Sequence, residues 1–192
     1  MLDDAPRSTW LVTGANGFLG ANLGAFLNGR AHRVGVTRSG TGHPMFDECV
    51  PGELADPVTL VAAIERLRPD VIVNAAAMAS HEACELMPDL AVQVNAVAAG
   101  TLSAAAAGIG ARFVQISTDA VFDGSQGRYA ETDATQPFSV YGRSKLDGEN
   151  LVSSNSDALI VRTNFFGWSP TGRRSILEFF VNELSDGHTV RG

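Results

Sequence analysis

The sequence predicts an α/β protein organised as a doubly wound parallel sheet, and three observations carry that prediction. A short apolar run, Trp10-Leu11-Val12, leads into the glycine-rich stretch Thr13 to Gly20, TGANGFLG, and then into helical spacing. Five strand-like runs alternate with helix-like segments and a sixth follows, the pattern of parallel strands joined by crossover helices. Small and polar residues follow two of the runs, Asn74-Ala75-Ala76-Ala77 and Ser117-Thr118-Asp119, where ligands of open α/β sheets bind. Together these describe a Rossmann-type domain.

The first strand, turn and helix form a dinucleotide-phosphate motif. Gly14 turns the chain as the strand ends, Gly17 lets a pyrophosphate approach the backbone, and Gly20 lets the helix lie against the sheet. Asn16, Phe18 and Leu19 complete the loop. The N–H groups and positive dipole end of the following helix point at the phosphates. A P-loop would need Lys and then Ser or Thr after its last glycine, and Ala21-Asn22 stand there. Leu23, Phe26 and Leu27 continue the helix, and Asn28-Gly29 ends it.

Arg33 to Thr37 reads as the second strand. An NAD site usually carries an acid just beyond it, accepting from the ribose 2′-hydroxyl. Here Thr37-Arg38-Ser39 stands there, and a guanidinium forks onto a 2′-phosphate. NADP(H) is therefore the expected cofactor, with NAD(H) the alternative. A Gly/Pro-rich loop over residues 40–52 surrounds a weak strand, Met45 to Val50. Asp56 reads as the N-cap of the next helix, with Pro57 at its first position. Asp56 is also a candidate contact for an adenine amino group. Leu60, Ile64 and Leu67 form that helix's buried face, and Val71 to Val73 the next strand.

Ala75, Ala76 and Ala77 allow something flat, such as a cofactor ribose, to reach the backbone. The alanine-rich stretch from Glu82 to Ala107 reads as one helix packed closely on the sheet. Asn95 is a polar group within it, expected to be buried and to support or contact the cofactor site. His81, Glu82, Cys84 and Glu85 match no standard metal-ligand spacing, so no metal is expected. Arg112 to Ser117 and Ala158 to Val161 are the fifth and sixth strands, with a helix carrying Leu146, Leu151 and Val152 between them.

Bulk properties exclude several classes. The 192 residues suffice for one domain with a sizeable core, and 45% hydrophobic with 18% charged residues reads as globular. A net charge of −7 argues against nucleic acid as the main partner. Cys49 and Cys84 form no disulfide framework or CxxC pair. The acidic start, MLDDAPRST, lacks the apolar core of a signal peptide, and no uninterrupted apolar run approaches membrane-spanning length. A cytoplasmic protein without membrane contact is expected.

Tyr141 and Lys145 are four apart and share one helix face. A phenol with an ordinary pKa near 10 is a poor proton donor at neutral pH. An ammonium about 5 Å away, at an effective dielectric near 20, stabilises the phenolate by roughly 3 kcal/mol. That amounts to about two pKa units. Thr118 is then expected to hold a substrate oxygen against the Tyr141 hydroxyl.

These stretches resemble the extended short-chain dehydrogenase/reductases, and within them the dTDP-4-dehydrorhamnose reductase group. TGANGFLG, PDVIVNAAA, ISTDAVFDG, ETDATQPFSVYGRSKLDGE and VRTNFFG fall in that family's order across residues 10–167. The resemblance implies reduction of a 4-keto-sugar on a nucleoside diphosphate, with hydride from a nicotinamide and a proton from Tyr141. It implies that Lys145 holds the nicotinamide ribose and lowers the Tyr141 pKa, that Thr118 tunes the hydroxyl network, and that Asp119 and Asn164 lie near the sugar. Ala120 replaces the family's usual aromatic, which opens space there. The family continues beyond this chain, so residues 1–163 are expected to form the dinucleotide-binding domain. Residues 164–192 are then the beginning of a smaller substrate lobe, cut short, with an apolar helix prone to self-association, for example as a homodimer. Arg173 and Arg174 are candidate diphosphate contacts. Two other activities fit the same resemblance: an epimerase or dehydratase of the superfamily, and a non-catalytic cofactor-binding subunit like methionine adenosyltransferase β.

Overall fold

A computed structural model describes residues 7–155, 157–169 and 176–189. Six parallel strands run in the order β3-β2-β1-β4-β5-β6. They are β1 (Thr9–Thr13), β2 (His32–Thr37), β3 (Glu48–Pro51), β4 (Val71–Asn74), β5 (Arg112–Ser117) and β6 (Ala158–Arg162). The doubly wound sheet expected from the alternation of runs is the architecture observed. The order reverses between β1 and β4, and that is where strand ends leave a crevice for a ligand.

Strand residues alternate between two cores. Leu11, Val34, Ile72 and Phe113 pack with Leu60, Ile64, Leu102 and Val152 on one face. On the other face Val12 and Val73 pack with Ala15 and Phe46. The first core is covered by α2 (Val58–Leu67), α5 (Ala98–Ile109) and α6 (Val140–Val152). At ~25 cal/mol per Å² of apolar area removed from water, buried leucines and isoleucines stabilise by roughly 2 kcal/mol each.

Three sequence expectations shift. The alanine-rich stretch is not one helix: α3 (His81–Leu86) stops at Met87, and Pro88 opens α4 (Pro88–Val92). Proline has no N–H to continue α3, yet it suits the first turn of a new helix. A single π-helical turn, Gln93–Val97, then joins α4 to α5. Pro88–Ile109 is 22 residues long with a hydropathy of 1.4, enough by length and composition to cross a membrane. Ala98, Ala99, Leu102 and Ala106 are fully buried against the sheet and α6, so it is a core helix of the fold.

The second helix starts one residue late. Pro57 occupies the N-cap, and Asp56 accepts from the Val58 N–H at 3.4 Å. The third strand lies at Glu48–Pro51, at the end of the predicted span. Beyond β6, the segment through Ser169 crosses toward α1 (Phe18–Phe26): Asn22 donates to the Trp168 carbonyl at 3.4 Å, and Phe165 tilts against Phe18 at 6.4 Å. The last helix, α7 (Ile176–Ser185), buries Glu178, whose carboxylate accepts from the Ser169 hydroxyl at 2.7 Å. Arg173 and Arg174 lie outside the described residues.

Candidate active site

The glycine loop sits where β1 ends, tied to β2 by the Ala15 N–H on the Val36 carbonyl at 3.2 Å. Gly14 has φ +69°, and a Cβ there would come within 3.1 Å of the Ala76 backbone. The first strand turn and the NAAA turn therefore touch through a glycine that no other residue replaces cheaply. A Cβ on Gly20 would meet the Gly14 carbonyl at 2.2 Å, so α1 also needs its glycine to lie this close. Gly17 is the N-cap of α1, Phe18 and Leu19 begin the helix, and Asn16 is exposed in the loop. Ala75 and Ala76 are half-buried and Ala77 is exposed beside them. These residues fit a pyrophosphate and ribose: a backbone cradle at a helix N-terminus, with no side chain filling it.

A polar chain that the sequence reading missed braces this floor. The Thr13 hydroxyl donates to Asn74 Oδ1 at 2.7 Å and accepts from the Ala76 N–H at 3.0 Å. Asn74 Nδ2 donates to Gln115 Oε1 at 2.8 Å, and Gln115 Nε2 to the Ile116 carbonyl at 3.0 Å. The ends of β1, β4 and β5 are thus locked together by buried groups that satisfy one another. The available signal was a polar residue at the same register position of three adjacent strands.

Arg38 lies one residue beyond β2 with its side chain 88% exposed, and its Nε is 3.2 Å from a Glu53 carboxylate oxygen. So the predicted 2′-phosphate ligand has an acidic partner that the sequence reading did not pair with it. Asp56 lies three residues after Glu53, bridged to it through the backbone.

Tyr141 is the second residue of α6, whose first turn is capped twice. Ser139 accepts from the Gly142 N–H at 3.0 Å, and Glu85 of α3 accepts from the Val140 N–H at 2.8 Å. The Thr118 side chain acts on the Tyr141 phenol, so the structure brings these two predicted residues together. The His81 ring packs on the Tyr141 ring at 4.7 Å between centroids. His81 was weighed only as a metal ligand, and among the described residues no His/Cys/Asp/Glu group could hold a metal ion.

The expected depression of the Tyr141 pKa is not found. Burial pushes the phenol up, the Thr118 hydrogen bond pulls it down less, and Cys84 and Asp119 add to the rise. Lys145 is not among the groups that shift the phenol, and its Nζ donates to the Ile116 carbonyl at 2.5 Å. Lys145 is 3% exposed, and burial brings its own pKa down to about 8. Four-residue spacing put both groups on one face, but the lysine chain leans to the strand rather than along the helix.

Asn95 sits in the π-helical turn, 2% exposed. Its Oδ1 accepts from the Met78 N–H at 2.8 Å, and its Nδ2 donates to the Met78 carbonyl at 3.1 Å and to Ser144 Oγ at 3.0 Å. Both amide hydrogens are committed within the protein. Asn95 therefore links Met78 to Ser144 of α6, as expected of a buried polar support for the site. Asn164 Nδ2 donates to Asp119 Oδ2 at 2.5 Å, and the Thr118 hydroxyl donates to Asp119 Oδ1 at 3.2 Å. The two predicted substrate-side residues thus stand together beside Thr118 and Tyr141.

The described site can be set against known proteins. Residues 8–191 match the family model for the RmlD substrate-binding domain. The chain belongs to this family. Among its RmlD-type relatives, it is 40% identical over 148 residues to the dTDP-4-dehydrorhamnose reductase of Streptomyces griseus, covering 77% of this chain and 45% of that protein. It is 37% identical over 157 residues to methionine adenosyltransferase 2 subunit β of Xenopus laevis, covering 81% of this chain and 46% of that one. A solved dTDP-4-dehydrorhamnose reductase of Bacillus anthracis in complex with NADP superposes with a TM-score of 0.84 at 26% identity, over 97% of this chain and 63% of that one. This RmlD-family chain spans about half the length of these curated relatives.

Proposed function

We propose that the protein is an NADP-dependent reductase of a nucleotide-activated 4-keto-sugar. The observation that carries this reading is Thr118, at the end of β5, set against the Tyr141 phenol, with buried Lys145 one helical turn away on α6 and the glycine turn after β1. Family membership and the NADP complex of the Bacillus anthracis relative support it.

Gly14, Gly17 and Gly20, the first turn of α1 and Ala75 to Ala77 would hold the dinucleotide, and Arg38 its 2′-phosphate. A bound nicotinamide supplies the hydride. Tyr141 donates its hydroxyl proton to the substrate oxygen at C4 as hydride reaches the carbon. Its high pKa keeps that proton in place until negative charge develops on the acceptor. Thr118 steadies the same oxygen by hydrogen bond, and Asp119 with Asn164 borders the sugar. Lys145 contributes positive charge behind the site and a donor for the nicotinamide ribose. Incubation with a panel of nucleotide 4-keto-sugars and NADPH, followed by nicotinamide absorbance, tests the reading. No loss of absorbance with any member, in a longer form that completes the substrate side, would refute it.

A second reading rests on the methionine adenosyltransferase β relative: a subunit that binds the dinucleotide without turning over a sugar. Tight NADPH binding with no turnover on the whole panel is its signature. The Asp119 carboxylate, 3.2 Å from the Thr118 hydroxyl, favours a third chemistry, a dehydratase or epimerase that returns the hydride to its product. That activity would consume sugar nucleotide with no net change in NADPH.

A further inference from the structure

The sequence holds one lysine, Lys145, and the rest of its 14 Lys and Arg residues are arginine. An arginine stays charged in any protein setting, whereas burial strips charge from a lysine. Lys145 is buried and titrates at about 8, so its neighbours decide whether it is charged. One turn along α6 stands Glu149, itself 4% exposed and without a part in the proton transfer. Its carboxylate accepts from the Ser117 hydroxyl at 2.5 Å and, through both oxygens, from Arg162 Nε at 3.1 and 3.2 Å and from the second Arg162 nitrogen at 2.7 Å. Burying such an ion pair is a poor way to gain stability, since apolar residues of like volume do as well.

Among the described residues no other carboxylate acts on Lys145: Glu82 of α3 and Asp89 of α4, on helices that pack against α6, are exposed. The π-helical turn and α5 carry no ionisable side chain. From α3, His81 and Cys84 act on Tyr141 and Glu85 caps Val140. Asp119 is engaged by Thr118 and Asn164. Glu149 is the group whose charge favours the Lys145 ammonium.

We propose that Glu149 is a positioning residue for Lys145: clamped by Ser117 and Arg162, its carboxylate keeps the buried ammonium charged and directed at the end of β5. The use of that charge rests on the cofactor reading above, but the test does not. Lysine labelled at Cε and Nζ gives a single side-chain NMR signal, which reports the Lys145 midpoint directly. Glu149→Gln should lower that midpoint by about one unit or more, a tenfold loss of proton affinity. A carboxylate that merely stitched α6 to the sheet would, once removed, admit water and raise the midpoint toward the ordinary lysine value. The direction of the shift therefore decides. Should Glu149→Gln fail to fold by circular dichroism, Glu149→Gln with Arg162→Gln leaves no unpaired charge and should lower the midpoint by a smaller amount. An unmoved or raised midpoint in the folded variant overturns the proposal. With the midpoint lowered, NADPH affinity should fall above the new midpoint and recover below it. A lowered midpoint with affinity indifferent to pH would uphold the role of Glu149 and refute the cofactor role of Lys145.

Discussion

Asn95 closes on Met78 at both of that residue's backbone groups, taking its N–H at 2.8 Å and its carbonyl at 3.1 Å. A third bond to Ser144, which donates to the Tyr141 carbonyl at 2.8 Å, links the NAAA turn to α6. One buried amide thereby sets the distance between the cofactor floor and the tyrosine helix. Asn95→Ala should cost about 2 kcal/mol, because the Met78 groups and Ser144 lose their partner without gaining water. Urea denaturation reads that loss as a lower midpoint at unchanged slope. A loss below about 0.5 kcal/mol would mean that water substitutes for the amide.

A second link carries a pH signature. Arg33 forks onto Asp47, with Nε at 3.0 Å and the terminal nitrogen at 2.6 Å, and this holds the Asp47 carboxyl down at about 2. The folded state therefore binds the Asp47 proton more weakly than the unfolded chain does. The stabilisation is complete above about pH 4 and is lost as pH falls toward 2. The Asp47 side chain is 39% exposed, so solvent screening reduces the contribution to about 1 kcal/mol. Asp47→Asn should lower stability by that amount at pH 7 and leave the difference from the parent vanishing near pH 2. Chemical denaturation at the two pH values measures it.

What could be read from the sequence follows from how local each feature is. The six parallel strands and the glycine turn were legible, because apolar runs and glycine spacing act within a few residues. The break at Met87 was masked by helix-favouring alanines on both sides, although Pro88 was in plain view. The Thr13–Asn74–Gln115 chain joins residues 61 and 41 positions apart and exists only once three strands lie in register. The Lys145 orientation failed for a related reason. Helical spacing says which face a side chain leaves from, but a buried carbonyl on β5 decides where it ends.

The proposed cofactor preference rests on Arg38, which the structure pairs with Glu53 at 3.2 Å in an exposed setting. Such a pair is worth at most about 1 kcal/mol, so a 2′-phosphate can draw the guanidinium away. NADPH should bind more tightly than NADH. Arg38→Ala should erase most of the difference, a loss of about 1.5–3 kcal/mol in NADPH affinity with NADH little changed. Calorimetric titration with both nucleotides decides the matter, and equal affinities in the parent protein would refute the assignment.

Binding and turnover should separate at Tyr141. Of the residues proposed to hold the dinucleotide, Gly14 packs on the Ala76 backbone and Lys145 donates to the Ile116 carbonyl near the end of β5. Asp119 and Asn164, proposed to border the sugar, are bonded to each other, and beyond β6 Phe166, Trp168 and Phe179 are 77%, 63% and 53% exposed. A sugar nucleotide needs walls on both sides to exclude water and fix its carbonyl. The 192-residue chain should therefore bind NADPH by itself and reduce 4-keto-sugars slowly or not at all. Tyr141→Phe removes one oxygen and keeps the ring against His81, so NADPH affinity should be unchanged. In any longer form that does turn over, the same substitution should lower kcat at least about 100-fold, the usual contribution of a positioned proton donor. Fluorescence titration and a turnover assay on both forms measure the two effects. Brisk catalysis by a monomeric 192-residue chain would show that the second wall is dispensable, and substantial activity in Tyr141→Phe would move the proton donor elsewhere, with Asp119 the next group to replace.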